Sequence, residues 1–187
     1  MRTLITFCFL SILCFGCEES SVGQVPGPVP GINTAAYKLE VVDSLAKSYH
    51  KGLRLMTVSA QYVNPIGTSG TWSYQYSDTS MPPTSYWFHS SFNIVIFDST
   101  HATGVGSGFI TQHWFNSDSA LYISEQNGGT DFRSASPHCT ISASVGIPVV
   151  PDPRICWYVT YRSVDDNTKS LMLIIDAASG EIITTYR

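Results

Sequence analysis

Positive charge is scarce in this chain. Ten lysines and arginines among 187 residues stand against fourteen aspartates and glutamates, for a net charge of −4. No segment carries a basic patch, which excludes nucleic acid as a partner. Beyond the first 17 residues no second long apolar run occurs, so nothing there supplies the roughly 20 residues that a membrane-spanning helix needs. Reactive motifs are missing as well. There is no Cys-x-x-Cys for thiol exchange. The histidines (His50, His89, His101, His113, His138) include no His-x-x-x-His pair, although His89, His101 and His113 form a set that a fold could bring together. Gly104-Val105-Gly106-Ser107-Gly108 lacks the Lys-Ser/Thr of a phosphate loop and reads as a linker. Neither it nor Gly67-Thr68-Ser69-Gly70 matches the Gly-x-Ser-x-Gly nucleophile turn. Asp165-Asp166-Asn167 lacks the remainder of a calcium loop and reads as a hairpin turn. No carboxylate pair stands out for glycoside hydrolysis. The expectation is a protein without catalytic residues, cofactor or metal.

What is abundant is hydroxyl and ring: Ser and Thr throughout, with ten Tyr, nine Phe and four Trp. Sparse charge with many hydroxyls suits a β-rich protein outside the cytoplasm. The N-terminus agrees. Arg2 gives a short positive start, Leu4 to Phe15 an apolar core too short to cross a bilayer, and Gly16-Cys17 a cleavage point. The segment resembles a bacterial lipoprotein signal, with its Leu at Leu13; an ordinary secretory signal is the alternative. The resemblance implies that Cys17 carries a lipid and is the first mature residue. It also implies, because Glu18-Glu19 follow where Asp marks inner-membrane retention, an outer-membrane address. Residues 18–33, with Pro26, Pro28 and Pro30, sustain neither helix nor ladder and read as a tether.

After the tether the chain alternates helix and strand signals. Thr34 is placed to cap a helix with Leu39, Val42, Ala46 and Tyr49 on one face and Gly52 as its stop. Met56, Val58, Ala60 and Tyr62 alternate with polar residues, as do Trp72, Tyr74 and Tyr76. A third strand runs from Trp87 to Asp98. The pattern then restarts: a short strand within Phe109–Phe115, a helix opened by Ser117 or Asp118 and interrupted at Asn127-Gly128-Gly129, then alternation from Ile141 to Ile147. The Trp157 strand follows, then Leu171–Ile175, apolar throughout as for a strand covered on both faces, and a last strand from Ile182 to Tyr186. Trp72 and Trp157 are each followed four residues later by a Tyr, and an apolar strand ends on Asp98 and on Asp176. The fold class expected is α+β, as two tandem helix-plus-antiparallel-sheet units, 34–103 and 104–187, helices on one face of the sheets.

The second unit resembles a PepSY domain, a small module of the bacterial cell envelope. Trp157-Tyr158-Val159, Ile175-Asp176 and Ser179-Gly180-Glu181-Ile182-Ile183 carry the likeness over 117–187, with a degenerate copy at 34–100. It implies a non-enzymatic role, binding another envelope protein and restraining a peptidase. Read without any family, Asp176 and Gly180 shape a turn, the carboxylate accepting from amides ahead of it. Cys139 and Cys156 could bridge in an oxidising compartment, but matching the apolar faces puts the two sulfurs on opposite sides of the sheet unless a bulge intervenes. Trp72, Tyr74, Tyr76, Trp87 and Trp114 are either core or a contact surface. The alternative function is a small-ligand or glycan-binding lipoprotein with an aromatic groove between the halves.

Overall fold

The computed structural model describes residues 31–79, 83–102, 108–148 and 153–187. The export signal with Cys17, residues 18–30 of the tether and most of the 104–108 linker lie outside them. The alternation of apolar and hydroxyl side chains builds eight strands: β1 (Arg54–Ala60), β2 (Thr71–Ser77), β3 (Thr84–Ser91), β4 (Ile94–Ala102), β5 (Cys139–Gly146), β6 (Cys156–Ser163), β7 (Ser170–Asp176) and β8 (Ile182–Tyr186). They form one antiparallel sheet in the order β4-β3-β2-β1-β5-β6-β7-β8. Helix α1 (Leu39–Tyr49) covers one side, together with α2 (Ser117–Ser124), which runs through a π turn (Glu125–Gly129) into α3 (Thr130–Ala135).

Two tandem units with separate sheets are therefore not what the chain builds. β1 and β5 pair directly, Thr57 opposite Gly146 through Ala60 opposite Ala143. The reason is that both strands bury the same parity, Met56, Val58 and Ala60 on one, Ile141, Ala143 and Val145 on the other. Joining them removes two exposed edges at once. Sheet and core run unbroken across the expected boundary at 103/104.

The core lies between the helices and one face of this sheet. Its largest buried side chains are Trp72, Trp157, Tyr74, Tyr76, Tyr161 and Phe88. At the centre the register sets Tyr74, Val58, Val145 and Trp157 in one row and Ala60, Ala143 and Val159 in the next. The small side chains of the two middle strands leave room for both indoles, which meet edge to face at 6.5 Å. Each indole N–H then latches the chain ahead of a helix: Trp72 donates to the Asn33 carbonyl at 2.8 Å, Trp157 to the Phe115 carbonyl at 2.9 Å. The two lead-ins are tied to each other. Ser117 Oγ accepts from the Ala35 amide, Asn116 Oδ1 from the Ala36 amide, and Asn116 Nδ2 donates to Thr34 Oγ1. Thr34 thus joins this knot and does not cap α1, whose first turn follows Lys38.

Several local expectations change for identifiable reasons. The strand expected from Trp87 to Asp98 is a hairpin, β3 and β4, turning at Phe92-Asn93. Phe92 has φ of 48°, a conformation usually given to glycine, so no turn residue announces it. Phe109–Phe115 is not a strand; it contributes one backbone bond to the sheet, from the Ile110 amide to the Leu55 carbonyl. In β7, Leu171, Leu173 and Ile175 are buried but Met172 and Ile174 only half so, because among the described residues no helix covers the second face. Cys139 pairs with Ser163 and Cys156 with Gly146, at opposite ends of the β5–β6 hairpin and with no bulge between, so no bridge can join them. The Asp176 turn forms as expected, its carboxylate accepting from the Ala178 and Ser179 amides at 2.9 Å each, with Gly180 at φ 80°.

The expected interruption at Asn127-Gly128-Gly129 is real, Gly128 taking φ of 112°. Gly129 passes so close to the sheet that an added Cβ would lie 2.4 Å from Tyr161 Oη. Ahead of the kink Glu125 meets Tyr161, whose hydroxyl donates to Oε1 at 3.0 Å, and beyond it the chain returns Arg133, whose Nη2 donates to Oε2 at 2.7 Å. Burial raises the Glu125 pKa, but bonds from Arg133, Thr130 and Tyr161 outweigh it and hold the carboxyl below its ordinary value.

Replacing Trp157 by Phe removes a buried N–H and strands the Phe115 carbonyl, at a cost of about 1–3 kcal/mol. Urea unfolding should show that loss with an unchanged slope. A depressed folded-state pKa stabilises above the unfolded value, and the contribution fades as pH falls through the folded one. Glu125→Gln should therefore flatten the acid limb of the stability curve below about pH 4.5, read by thermal melts across pH.

Candidate functional site on the bare face of the sheet

The face turned away from the helices is a field of short hydroxyls with larger groups at its flanks. One row crosses all eight strands as Ile96, His89, Ser73, Ser59, Ser144, Tyr158, Ile174 and Thr184. The next runs Ser99, Trp87, Gln75, Thr57, Gly146 and Cys156.

A bulge in β4 concentrates chemistry at one flank. Trp87 lies opposite Ser99 while Phe88 lies opposite Phe97, so Asp98 is the extra residue. A bulge reverses the parity of the residues beyond it. Ser99 and His101 consequently share the face of Ile96 and Asp98, next to His89. The result is a chain of polar contacts: Ser73 Oγ to His89 Nδ1 at 2.8 Å, His89 Nε2 to Asp98 Oδ2 at 3.3 Å, Ser99 Oγ donating to Asp98 Oδ2 at 3.0 Å, and His101 Nε2 to Ser99 Oγ at 3.0 Å. The Ser99 hydroxyl, then the His89 ring, hold the Asp98 carboxyl below its usual range. Around this chain lies a groove of about 600 Å³, lined among others by Ser59, Gln75, Trp87 and His101. Gln75 Nε2 donates to Ser85 Oγ at 2.9 Å, leaving its carbonyl oxygen for other partners.

Serine, imidazole and carboxylate in series have the order of a nucleophilic triad, but the setting lacks two of its parts. Ser73 sits mid-strand between β1 and β3, both of which pair with β2 in register there. The strand amides around it serve the ladders, so no pair of backbone donors faces a developing oxyanion. Asp98 is also about half exposed, where a triad carboxylate is buried. The arrangement presents fixed donors and acceptors beside an indole.

The sequence placed these residues unevenly. His89 and His101 do converge; His113 is exposed in the lead-in to α2, and His138 pairs instead with Asp165 at 3.2 Å. Among the described residues no three His, Cys, Asp or Glu side chains group to hold a metal ion. Of the contact aromatics, Trp72, Tyr74 and Tyr76 are fully buried on the helix side of the sheet, and none of them stands on the bare face. Trp114 packs on Trp157 at 5.7 Å on the helix side. Only Trp87 stands, half-buried, in the groove. The groove itself is not between the halves, where β1 and β5 are hydrogen-bonded, but across β1 to β4. Ser73, Gln75, Asp98 and Ser99 were not foreseen, because the bulge that gathers them breaks the period of two on which a sequence reading relies.

Compared with family models, with curated proteins and with solved structures, the chain has no match in any of the three.

An ionised carboxylate only accepts hydrogen bonds, so neutral His89 must carry its proton on Nε2, facing Asp98, and accept at Nδ1 from Ser73. Long-range ¹H–¹⁵N correlation spectra should show the Nε2–H tautomer for His89, shifting toward a mixture in Asp98→Ala; an Nδ1–H tautomer in the native protein would contradict the geometry.

Proposed function

We propose that the protein is a non-enzymatic binding lipoprotein of the bacterial cell envelope, tethered through Cys17 and recognising its ligand on the bare face of the sheet. The observation that carries this reading is the groove around Trp87. An indole flanked by Gln75, Ser73, Ser59, Asp98 and His101 has what a neutral glycan needs: an apolar plate for the C–H face of a ring, and donors and acceptors around it for the hydroxyls. The lipid anchor rests on the Gly16-Cys17 signal. No helix among the described residues is long and apolar enough to cross a membrane. Outer-membrane placement rests on Glu18-Glu19.

A second reading has its own support. Phe92, Ile94 and Ile96 are 67%, 64% and 50% exposed on the outermost strand and its turn, an apolar edge open to strand addition by another envelope protein. A restrained peptidase is the partner that the PepSY resemblance implies.

One experiment separates the readings. The exported chain is applied to a glycan array, to immobilised peptidoglycan and to envelope extract. Retention on a glycan should fall about tenfold in Trp87→Ala, the ~1.4 kcal/mol expected of one stacked ring, while Ile94→Lys retains it. Capture of a protein that Ile94→Lys abolishes and Trp87→Ala does not would establish the edge reading instead. Ser73-dependent hydrolysis of an activated ester would replace both with an enzyme.

A further inference from the structure

Four of the most exposed apolar side chains stand at one end of the sheet. Tyr62, Ile66, Ile32 and Phe92 are 73%, 70%, 69% and 67% exposed, and among the described large hydrophobics only Tyr122 equals any of them. They come from three segments far apart in sequence: the chain ahead of α1, the loop between β1 and β2, and the β3–β4 turn. Antiparallel pairing brings these together, since β1 and β3 end where β2 and β4 begin. All three meet at Ser69-Gly70. The Ser69 amide donates to the Asn33 carbonyl at 3.0 Å and the Phe92 amide to the Gly70 carbonyl at 3.3 Å, while Tyr62 lines one hollow with Ser69 and Gly70.

The β1–β2 loop is braced around Ile66. Asn64 closes it, its amide donating to the Thr68 carbonyl at 2.7 Å and its Nδ2 to Thr68 Oγ1 at 3.1 Å. Gly67 takes φ of 82° and packs so near Asp118 that an added Cβ would lie 2.4 Å from that backbone. Ser117 Oγ donates to the Gly67 carbonyl at 2.6 Å. A loop fixed on both sides of Ile66 holds that side chain out, against the tendency of apolar surface to leave water. Charge is missing as well. Residues 31–34, 61–70 and 91–93 contain no Asp, Glu, Lys, Arg or His. Asp118 borders the loop, its carboxylate accepting from the Ser119 amide at 2.7 Å. At the same end of the other half, the β6–β7 turn carries Asp165, Asp166 and Lys169.

We propose that this end of the β1–β4 half is a membrane-contact surface, with Tyr62, Ile66, Phe92 and Ile32 entering the lipid headgroup layer. The occupant follows from where the chain comes in. Gly31, the first described residue, lies at this end and stands fourteen residues after Cys17. A lipid on Cys17 therefore brings this end to the bilayer first. Tyrosine and phenylalanine rings suit the headgroup level, where an apolar body meets a wet rim. Four side chains are too few to hold a protein on lipid by themselves, but a tether makes the contact intramolecular and raises its effective concentration. The inference rests on the lipid-anchored reading. The groove around Trp87 shares none of these four residues.

The test uses the full lipidated chain in vesicles of phosphatidylethanolamine and phosphatidylglycerol, with the photoreactive residue p-benzoylphenylalanine placed at one position at a time. Irradiation should yield phospholipid adducts, read by mass spectrometry, at Tyr62, Ile66 and Phe92. None should form at Ile183, which is exposed on β8 at the other edge of the sheet. Because the surface is uncharged, the yield should be the same at high salt and on phosphatidylcholine vesicles. Tyr62→Ser with Phe92→Ser should lower the yield at Ile66 about tenfold, as the apolar area in contact falls, with no change in melting temperature. Absence of lipid adducts at the three positions, equal yield at Ile183, or a yield that high salt abolishes overturns the proposal. Irradiation in intact cells that joins these positions to a protein instead of lipid overturns it too. The mass of the exported chain reads the anchor separately. Cys17 without acyl groups overturns the lipid-anchored reading and this inference with it, whereas acylated Cys17 without adducts overturns the contact surface alone.

Discussion

Two indole N–H groups hold this fold together. Trp72 and Trp157 stand on strands separated by β1 and β5, lean toward each other over a floor of alanine and valine, and each bonds a carbonyl just ahead of a helical segment. Remove the small floor and the rings clash; remove the N–H groups and two backbone carbonyls lose their partners inside the core. The same pair fixes where the helices begin, and so which faces they bury. A buried indole needs a partner for its single polar atom, and here that need sets the geometry of the cover. The ties from Asn116 and Ser117 back to Thr34, Ala35 and Ala36 then make the two lead-ins one structure.

From that common frame the two ends of the sheet diverge. Beyond Trp157 the helical segment brings Glu125 onto Tyr161, continues through a kink and closes over it. Beyond Trp72 the helix is short, its acid is an aspartate, and Tyr76 is left with ring packing against Phe88 at 5.6 Å but nothing for its hydroxyl. A buried hydroxyl without a partner costs on the order of 1–3 kcal/mol. The corresponding Tyr161 hydroxyl has the Glu125 carboxylate as its acceptor, itself held by Arg133 and Thr130, whereas the Tyr76 hydroxyl has no acceptor in bonding geometry.

How much of this could be read from the sequence depended on whether a residue's partner was near it in the chain. The Asp176 turn was legible because the carboxylate and the amides it holds are two and three residues apart. The break at Asn127-Gly128-Gly129 was legible because glycine and asparagine mark it. The helix over Leu39–Tyr49 and the alternation in β1, β2, β5 and β6 were legible from period alone. Pairing between β1 and β5 was not, since alternation says which face is buried and not which strand lies alongside; two sheets and one sheet write the same pattern. The β3–β4 hairpin was hidden because Phe92 takes a glycine's conformation. The Asp98 bulge was hidden because it adds one residue without leaving a compositional trace, and with it went the polar chain from Ser73 to His101. Trp72, Tyr74 and Tyr76 read first as core and second as a contact surface, and the helices settled the side.

The bare face arises from the composition by a different route. A sheet covered on one side must make the other compatible with water, and charge is the usual means. With charged residues at 13% of the chain, this protein uses serine and threonine instead, in rows that run through Ser73, Ser59 and Ser144 at the middle of the sheet. Short hydroxyls make a flat, weakly featured surface, able to hydrogen-bond anything and select nothing. Selectivity has to come from side chains that rise above that plane. They stand at its flanks, Trp87, His89 and Asp98 on one side and Tyr158 and Ile174 on the other, so the width of the serine field between them sets the minimum span of a ligand that touches both.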